Sequence, residues 1–138
     1  MGYLIDSNVL SELRKPKRAE HVVAWLRSIP SSDLFTSVLV MAELRRGSSS
    51  LRRRDPAAAD HLDAWIRELW AGFGRRVLPV SAAVADRWAD LMVPNPIPVI
   101  DGLIAATALV HDLTLVTRNI KDVERTGARV LDPFNVPG

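Results

Sequence analysis

Tyr3-Leu4-Ile5-Asp6-Ser7-Asn8-Val9-Leu10 is the stretch on which the fold turns. Three apolar residues in a row read as a short interior strand. Asp6-Ser7-Asn8 places cap-type side chains at its end, and Val9 to Leu13 reads as a helical turn. The same pattern recurs along the chain. Leu34-Phe35-Thr36, Val77-Leu78, Leu115-Val116 and Arg129-Val130-Leu131 read as four more strands. Helices are predicted over Glu20 to Ile29, from a Ser37 cap to about Arg46 with Gly47 as its end, and over Ala57 to Phe73. Two more follow, from a Ser81 cap through Leu91 and from about Gly102 to His111, with a short one near Lys121 to Arg125. Ser48-Ser49-Ser50 reads as part of a polar connection, and Pro94, Pro96 and Pro98 as a stiff linker. Short strands separated by helices imply parallel pairing and the α/β class.

The 138 residues fit one domain, 1–138, and can bury a core without staples. With 48% apolar and 25% charged residues, disorder is excluded as the main state. There is no cysteine, which removes disulfides, thiolate metal sites and cysteine nucleophiles together. His21, His61 and His111 lie far apart without metal-ligand spacing, so zinc is not expected. The first residues lack the basic start and long apolar run of a secretion signal. No apolar stretch reaches the ~20 residues of a membrane span. The expectation is a soluble, cytoplasmic protein. The net charge of +2 says little, but 15 of the 18 basic residues are arginine, the better fork for phosphate and carboxylate. A genome-wide bias toward arginine codons accounts for that count equally well.

The acids are more informative than the sum of charges. Asp6 is the only charged residue between Met1 and Ser11, Glu43 between Leu34 and Leu44, and Asp101 between Ile97 and Val110. Each is a single carboxylate in a core-like stretch, where an isolated buried charge costs several kcal/mol unless paired or coordinated. Asp6 lies at the carboxyl end of the first strand, where open α/β sheets bind ligands. If the three converge, their repulsion calls for a cation. Oxygen ligands without histidine or cysteine select magnesium or manganese. Read singly, Asp6 and Asp101 are equally well helix N-caps, and Glu43 a partner for Arg46.

Four motifs in order carry a resemblance. Leu4-Ile5-Asp6-Ser7-Asn8-Val9-Leu10 resembles the first strand and Asp-Thr-Asn start of the PIN-domain nucleases, in particular the VapC and FitB toxins of bacterial toxin–antitoxin pairs. Ser37 to Gly47 is similar to their second acidic motif, Asp101 to Ala108 to their third, and Val116-Thr117-Arg118-Asn119 to their fourth. Asp132-Pro133-Phe134 is typical of their close. The resemblance implies a three-layer α/β/α fold around a short, mostly parallel five-stranded sheet. It also implies a Mg2+-dependent endoribonuclease, with Mn2+ as a substitute, that cleaves phosphodiesters with metal-activated water. Asp6, Asp101 and Glu43 are then the catalytic acids and metal ligands, with Asn8 and Thr117 as supporting groups. Ser7 stands where threonine is usual and keeps the hydroxyl. Asn119 stands where many relatives carry aspartate, so Asp122, one turn on, either substitutes for it or is a solvated acid beside Lys121.

Arg45, Arg46, Arg52, Arg53 and Arg54 form the densest basic segment, suited to an RNA backbone, an acidic partner or plain solvent. Arg118, beside the site, can hold a phosphate or balance the carboxylates. Trp25, Trp65, Trp70 and Trp88 are expected mostly in the core. The apolar helices over Val9 to Ile29 and Val38 to Leu51 suggest a partner groove and a homodimer. The resemblance implies a VapB-like antitoxin. The competing reading is a PIN-fold module that binds RNA or antitoxin without cutting, which Asn119 favours. A haloacid-dehalogenase-like phosphatase would want a second aspartate where Asn8 stands.

Overall fold

The computed structural model describes residues 1–135 of the chain. Five strands form one parallel sheet: β1 (Tyr3–Ile5), β2 (Leu34–Ser37), β3 (Val77–Leu78), β4 (Thr114–Val116) and β5 (Val130–Leu131), in the order β3-β2-β1-β4-β5. Every pairing is parallel, with Tyr3 opposite Leu34 on one side and opposite Thr114 on the other. Six helices connect them: α1 (Ser7–Glu12), α2 (Glu20–Ser28), α3 (Val38–Arg52), α4 (Pro56–Phe73), α5 (Ala82–Leu91) and α6 (Val99–Val110). The chain steps outward from β1 to β2 and β3, then returns across the sheet to β4 and β5. Because parallel crossovers are right-handed, α1 to α4 cover one face and α5 and α6 the other. Strands β1 and β4 are the enclosed ones: Leu4 and Ile5 of β1 have no exposed surface, and Leu115 and Val116 of β4 almost none.

The order reverses between β1 and β4. In such sheets the ligand crevice opens beyond the carboxyl ends of the strands at that switch point. Asp6 follows β1 and Thr117 follows β4, and the ladder runs on past both strands: the Asp6 N–H donates to Val116 O at 2.9 Å.

Three element boundaries differ from the sequence reading. Gly47 does not end α3, which continues five residues further, through Ser48, Ser49 and Ser50 to Arg52. The cause is α4: Ser48 is buried and donates to Asp63 Oδ1, and Arg52 reaches Asp60 and Asp63 at 2.8 Å each. These bridges offset the low propensity of glycine and serine. The second helix start is also earlier, because α6 begins at Val99 with Pro98 at its N-cap, which puts Asp101 inside the first turn. The short helix expected near Lys121 to Arg125 is instead a turn followed by one 3₁₀ turn, Glu124–Thr126. Gly127, at φ 86°, ends it in the left-handed region where a side chain is strained.

The tryptophans divide. Trp25 packs edge-on against Tyr3 with ring centroids 5.1 Å apart, and Trp65 packs against the core. Trp70 lies beside the inward stripe of Leu62, Trp65, Ile66 and Leu69 and is 44% exposed. The apolar stripes of α2 and α3 (Val22, Val23, Leu26, Val40, Met41 and Leu44) face the core. The exposed large apolar side chains include Val93, Val99 and Ile100, around the α5–α6 connection. No helix among the described residues is long and apolar enough to cross a membrane.

Candidate active site

Asp6 is both a helix cap and part of a cluster. Its Oδ1 accepts from the Ser7 N–H at 2.8 Å, capping α1, and its Oδ2 accepts from Thr117 Oγ1 at 2.8 Å. Ser7 then links the second acid: its hydroxyl donates to Glu43 Oε1 at 3.3 Å. Asp6 is buried, 8% exposed, and reaches the surface only at this edge.

Thr117 is the hub on the β4 side. Besides donating to Asp6, its Oγ1 accepts from Asn8 Nδ2 and from the Asn119 N–H, both at 3.1 Å. Asn8 uses its other end to accept the Arg118 N–H at 3.1 Å. The two strand ends at the switch point are thus stitched by side chains 109 to 111 residues apart in sequence. The neighbouring backbone is tied in as well, since buried Thr36 donates to Ile5 O at 2.8 Å.

Glu43 and Asp101 are placed differently from the expectation of burial. The inner stripe of α3 is Val40, Met41, Leu44 and Ser48, so Glu43 falls on its flank and is exposed. Asp101 is half-buried in the first turn of α6, where the helix N-terminus favours negative charge. The acids nevertheless weigh on one another. Protein around the carboxyl displaces part of its water and pushes Glu43 above its ordinary range, the Asp6 charge pushes it further, and Asp101 adds to both. Asp101 is raised by burial first, then by Asp6 and by Asp122. Arg46 opposes the shift at Glu43 as the smallest influence, and the two form no ion pair among the described residues.

Asp122 stands at the rim rather than in solvent. It is half-buried, accepts from Asn119 Nδ2 at 2.9 Å, and lies close enough to Asp101 to raise it. Arg118 turns away from the acids: its guanidinium carbon sits 3.5 Å from the centroid of the Phe134 ring. One carboxylate escaped the sequence reading. Glu12 is 3% exposed, accepts the Ala19 N–H at 2.8 Å and pairs with Lys15 at 3.1 Å. The Ala19 bond holds its carboxyl below the ordinary range. A glutamate three residues before a lysine looks like a surface pair, so nothing in the pattern marks it as buried.

The donor set fits a hard divalent cation. It is entirely oxygen, and the repulsion among its members is what such an ion would relieve. Among the described residues, as the side chains stand, no group of three or more His, Cys, Asp or Glu is placed to hold a metal ion.

Known proteins share this architecture. The chain is 34% identical over 139 residues to toxin FitB of Neisseria gonorrhoeae, covering 96% of this chain and 98% of that protein. It is 31% identical over 138 residues to the VapC ribonuclease Y4jK of Sinorhizobium fredii, covering 95% and 96%. The crystal structure of FitAcB from Neisseria gonorrhoeae superposes with a TM-score of 0.89 at 32% identity, over 97% of this chain and 99% of that one. A family model of the PIN domain matches residues 3–128, and the chain belongs to the PIN-domain family.

Proposed function

We propose that this chain, as one domain over 1–138, is a Mg2+-dependent endoribonuclease and the toxin of a VapBC- or FitAB-type pair. The observation that carries the reading is the hydrogen-bonded network at the sheet's switch point, where the Ser7 N–H and Thr117 hold Asp6 and the Ser7 hydroxyl links Glu43. Asp6, Asp101 and Glu43 would hold the ion, with Asp122 adding negative charge near Asp101. A bound Mg2+, or Mn2+, supplies countercharge to the phosphate oxygens and lowers the pKa of water for in-line attack. The chain's own residues set the geometry. Thr117 and the Ser7 N–H fix both Asp6 oxygens, so that carboxylate cannot rotate away. Asn8 and Asn119 orient Thr117 in turn. Arg46, exposed beside Glu43, offers positive charge to the RNA strand.

The partner in this reading is an antitoxin like those in the FitAB and VapBC complexes. A groove of about 390 Å3 lined by Leu13, Val23, Leu26 and Trp65, with Arg18 and Arg27 at its rim, supports a protein partner on the α1–α2–α4 side. Exposed Val93, Val99 and Ile100 support a homodimer through the α5–α6 connection. The protein acts in the cytoplasm, where its RNA is found.

Total RNA incubated with wild type and Asp101→Asn tests the reading. Cleavage at discrete sites should require Mg2+, stop with EDTA and vanish in the variant. Equal cleavage by a folded Asp101→Asn protein would refute it.

A further inference from the structure

Arg118 joins the polar network through its backbone and sends its side chain elsewhere. Its N–H is held by Asn8 Oδ1 at 3.1 Å. Its guanidinium carbon stands 3.5 Å above the Phe134 ring, a face-on stacking distance. Glu12 lies one helical turn beyond Asn8 on α1 and feels the Arg118 charge. The side chain therefore leaves the network for the Phe134 ring.

Glu12 does not take up the guanidinium. Its oxygens are occupied by the Ala19 N–H and by Lys15. Phe134 covers the flat face of Arg118, which is exposed, and among the described residues no side chain or carbonyl takes its N–H edge. The backbone that carries the ring is held on both sides. The Phe134 N–H donates to Asp132 Oδ1 at 2.9 Å, and its carbonyl accepts from His21 Nε2 at 2.9 Å. A guanidinium stacked on an aromatic ring with its donor edge open is a phosphate fork whose rotamer is already chosen.

We infer that Arg118 grips the RNA phosphate neighbouring the one at the carboxylate cluster, and that Phe134 is the positioning residue that presents it. This rests on the ribonuclease reading above. Substrate binding then depends on the segment from Asp132 to Asn135, which contributes no group to the acid cluster. Arg118 adds no countercharge at Glu43 or Asp101, where the charges that act are Asp6, Asp101, Arg46 and Asp122. Its use is outward, toward the strand.

Fluorescence anisotropy of a short, mixed-sequence, end-labelled single-stranded RNA tests this, in EDTA to prevent turnover and over a series of NaCl concentrations. The proteins are full-chain wild type, Arg118→Ala, Phe134→Leu, Phe134→Tyr and the Arg118→Ala/Phe134→Leu double variant. Arg118→Ala should weaken binding and lower the log–log salt slope by about 0.7, the value for one single-strand phosphate. Phe134→Leu, measured well below its unfolding midpoint, should weaken binding about three- to tenfold with a lower slope, as loss of a cation–π contact predicts. Phe134→Tyr should restore both, and the double variant should bind no worse than Arg118→Ala alone. An unchanged slope in Arg118→Ala overturns the phosphate grip. A weakened Arg118→Ala beside a wild-type-like Phe134→Leu overturns the positioning role. Wild type without any salt-dependent RNA binding removes the ribonuclease reading, and this inference with it.

Discussion

Thr117 donates its hydroxyl to Asp6 across the β1–β4 boundary, 2.8 Å from Oγ1 to Oδ2. The bond couples two strand ends whose side chains are both almost fully buried. It ties the position of the acid to the integrity of the sheet rather than to a loop.

Replacing Thr117 by valine keeps the shape and removes the hydroxyl. Asn8 Nδ2 and the Asn119 N–H then lose their acceptor, and Asp6 loses a donor. Unmade bonds of this kind cost about 1–3 kcal/mol in all, less where water can enter. Loss of a group that orients a metal-binding acid lowers activity about 10- to 100-fold. Thr117→Ser should restore most of both. Urea denaturation and RNA cleavage on the three proteins check this. Full activity in Thr117→Val would show that Asp6 needs no such support.

The acids also set a pH dependence for the metal-free protein. Glu43 and Asp101 have folded values above their ordinary 4.5 and 3.8. The folded state holds these protons more tightly than the unfolded chain. That contribution is complete below the ordinary values and is lost as pH rises through the raised folded ones. At neutral pH in EDTA, Glu43→Gln and Asp101→Asn should therefore be as stable as wild type or better, by a small margin because solvent screens both groups. Mg2+ should raise the wild-type unfolding midpoint and leave that of Asp101→Asn nearly unchanged. Equal stabilisation of both would remove Asp101 from the ion's ligands.

Glu12 has the opposite sign. Its carboxyl is held below the ordinary 4.5, first by the Ala19 N–H and then by Lys15. Its stabilisation is full above 4.5 and is lost as pH falls through the lower folded value. Glu12→Gln should weaken the protein at neutral pH and narrow its gap to wild type under acid conditions. Thermal melts across pH 7 to 3 check this. A constant gap would show that the α1–α2 connection does not depend on the charge.

The sequence revealed the strands and the three acids for one reason: both are local contrasts. Tyr3-Leu4-Ile5 and Leu115-Val116 are apolar runs between polar ends, and Asp6, Glu43 and Asp101 are single charges in apolar stretches. What stayed hidden depends on partners far along the chain. Ser48 keeps α3 helical past Gly47 because Asp63 waits on α4. The α6 start at Val99 and the stacking of Arg118 on Phe134 are likewise set by tertiary packing. Glu43 read as buried because its neighbours are apolar, yet its place on the helix flank decides exposure.

Gly47 and Gly102 give opposite predictions from the same substitution. A Cβ at Gly47 would meet nothing within 4 Å, in the interior of α3. Gly47→Ala should therefore stabilise the protein by about 0.5–1 kcal/mol, through the conformational freedom that glycine loses on folding. A lower urea midpoint in Gly47→Ala would show that α3 is interrupted there.

At Gly102, a Cβ would stand 3.2 Å from Ile97 Cγ1 and 3.2 Å from Trp88 Cδ1. Both belong to the packing under the first turn of α6, the turn that carries Asp101. Ile97 is buried and cannot move outward freely. Overpacking of this kind costs about 1–3 kcal/mol. The strain falls beside the acid, so the α6 start should yield first and carry Asp101 with it. Gly102→Ala should therefore lose more Mg2+-dependent cleavage than its loss of stability explains, because sub-ångström displacement of a positioned group is costly. Cleavage rates measured well below the unfolding midpoint separate the two effects. Wild-type rates in a destabilised Gly102→Ala protein would show that the glycine serves packing alone.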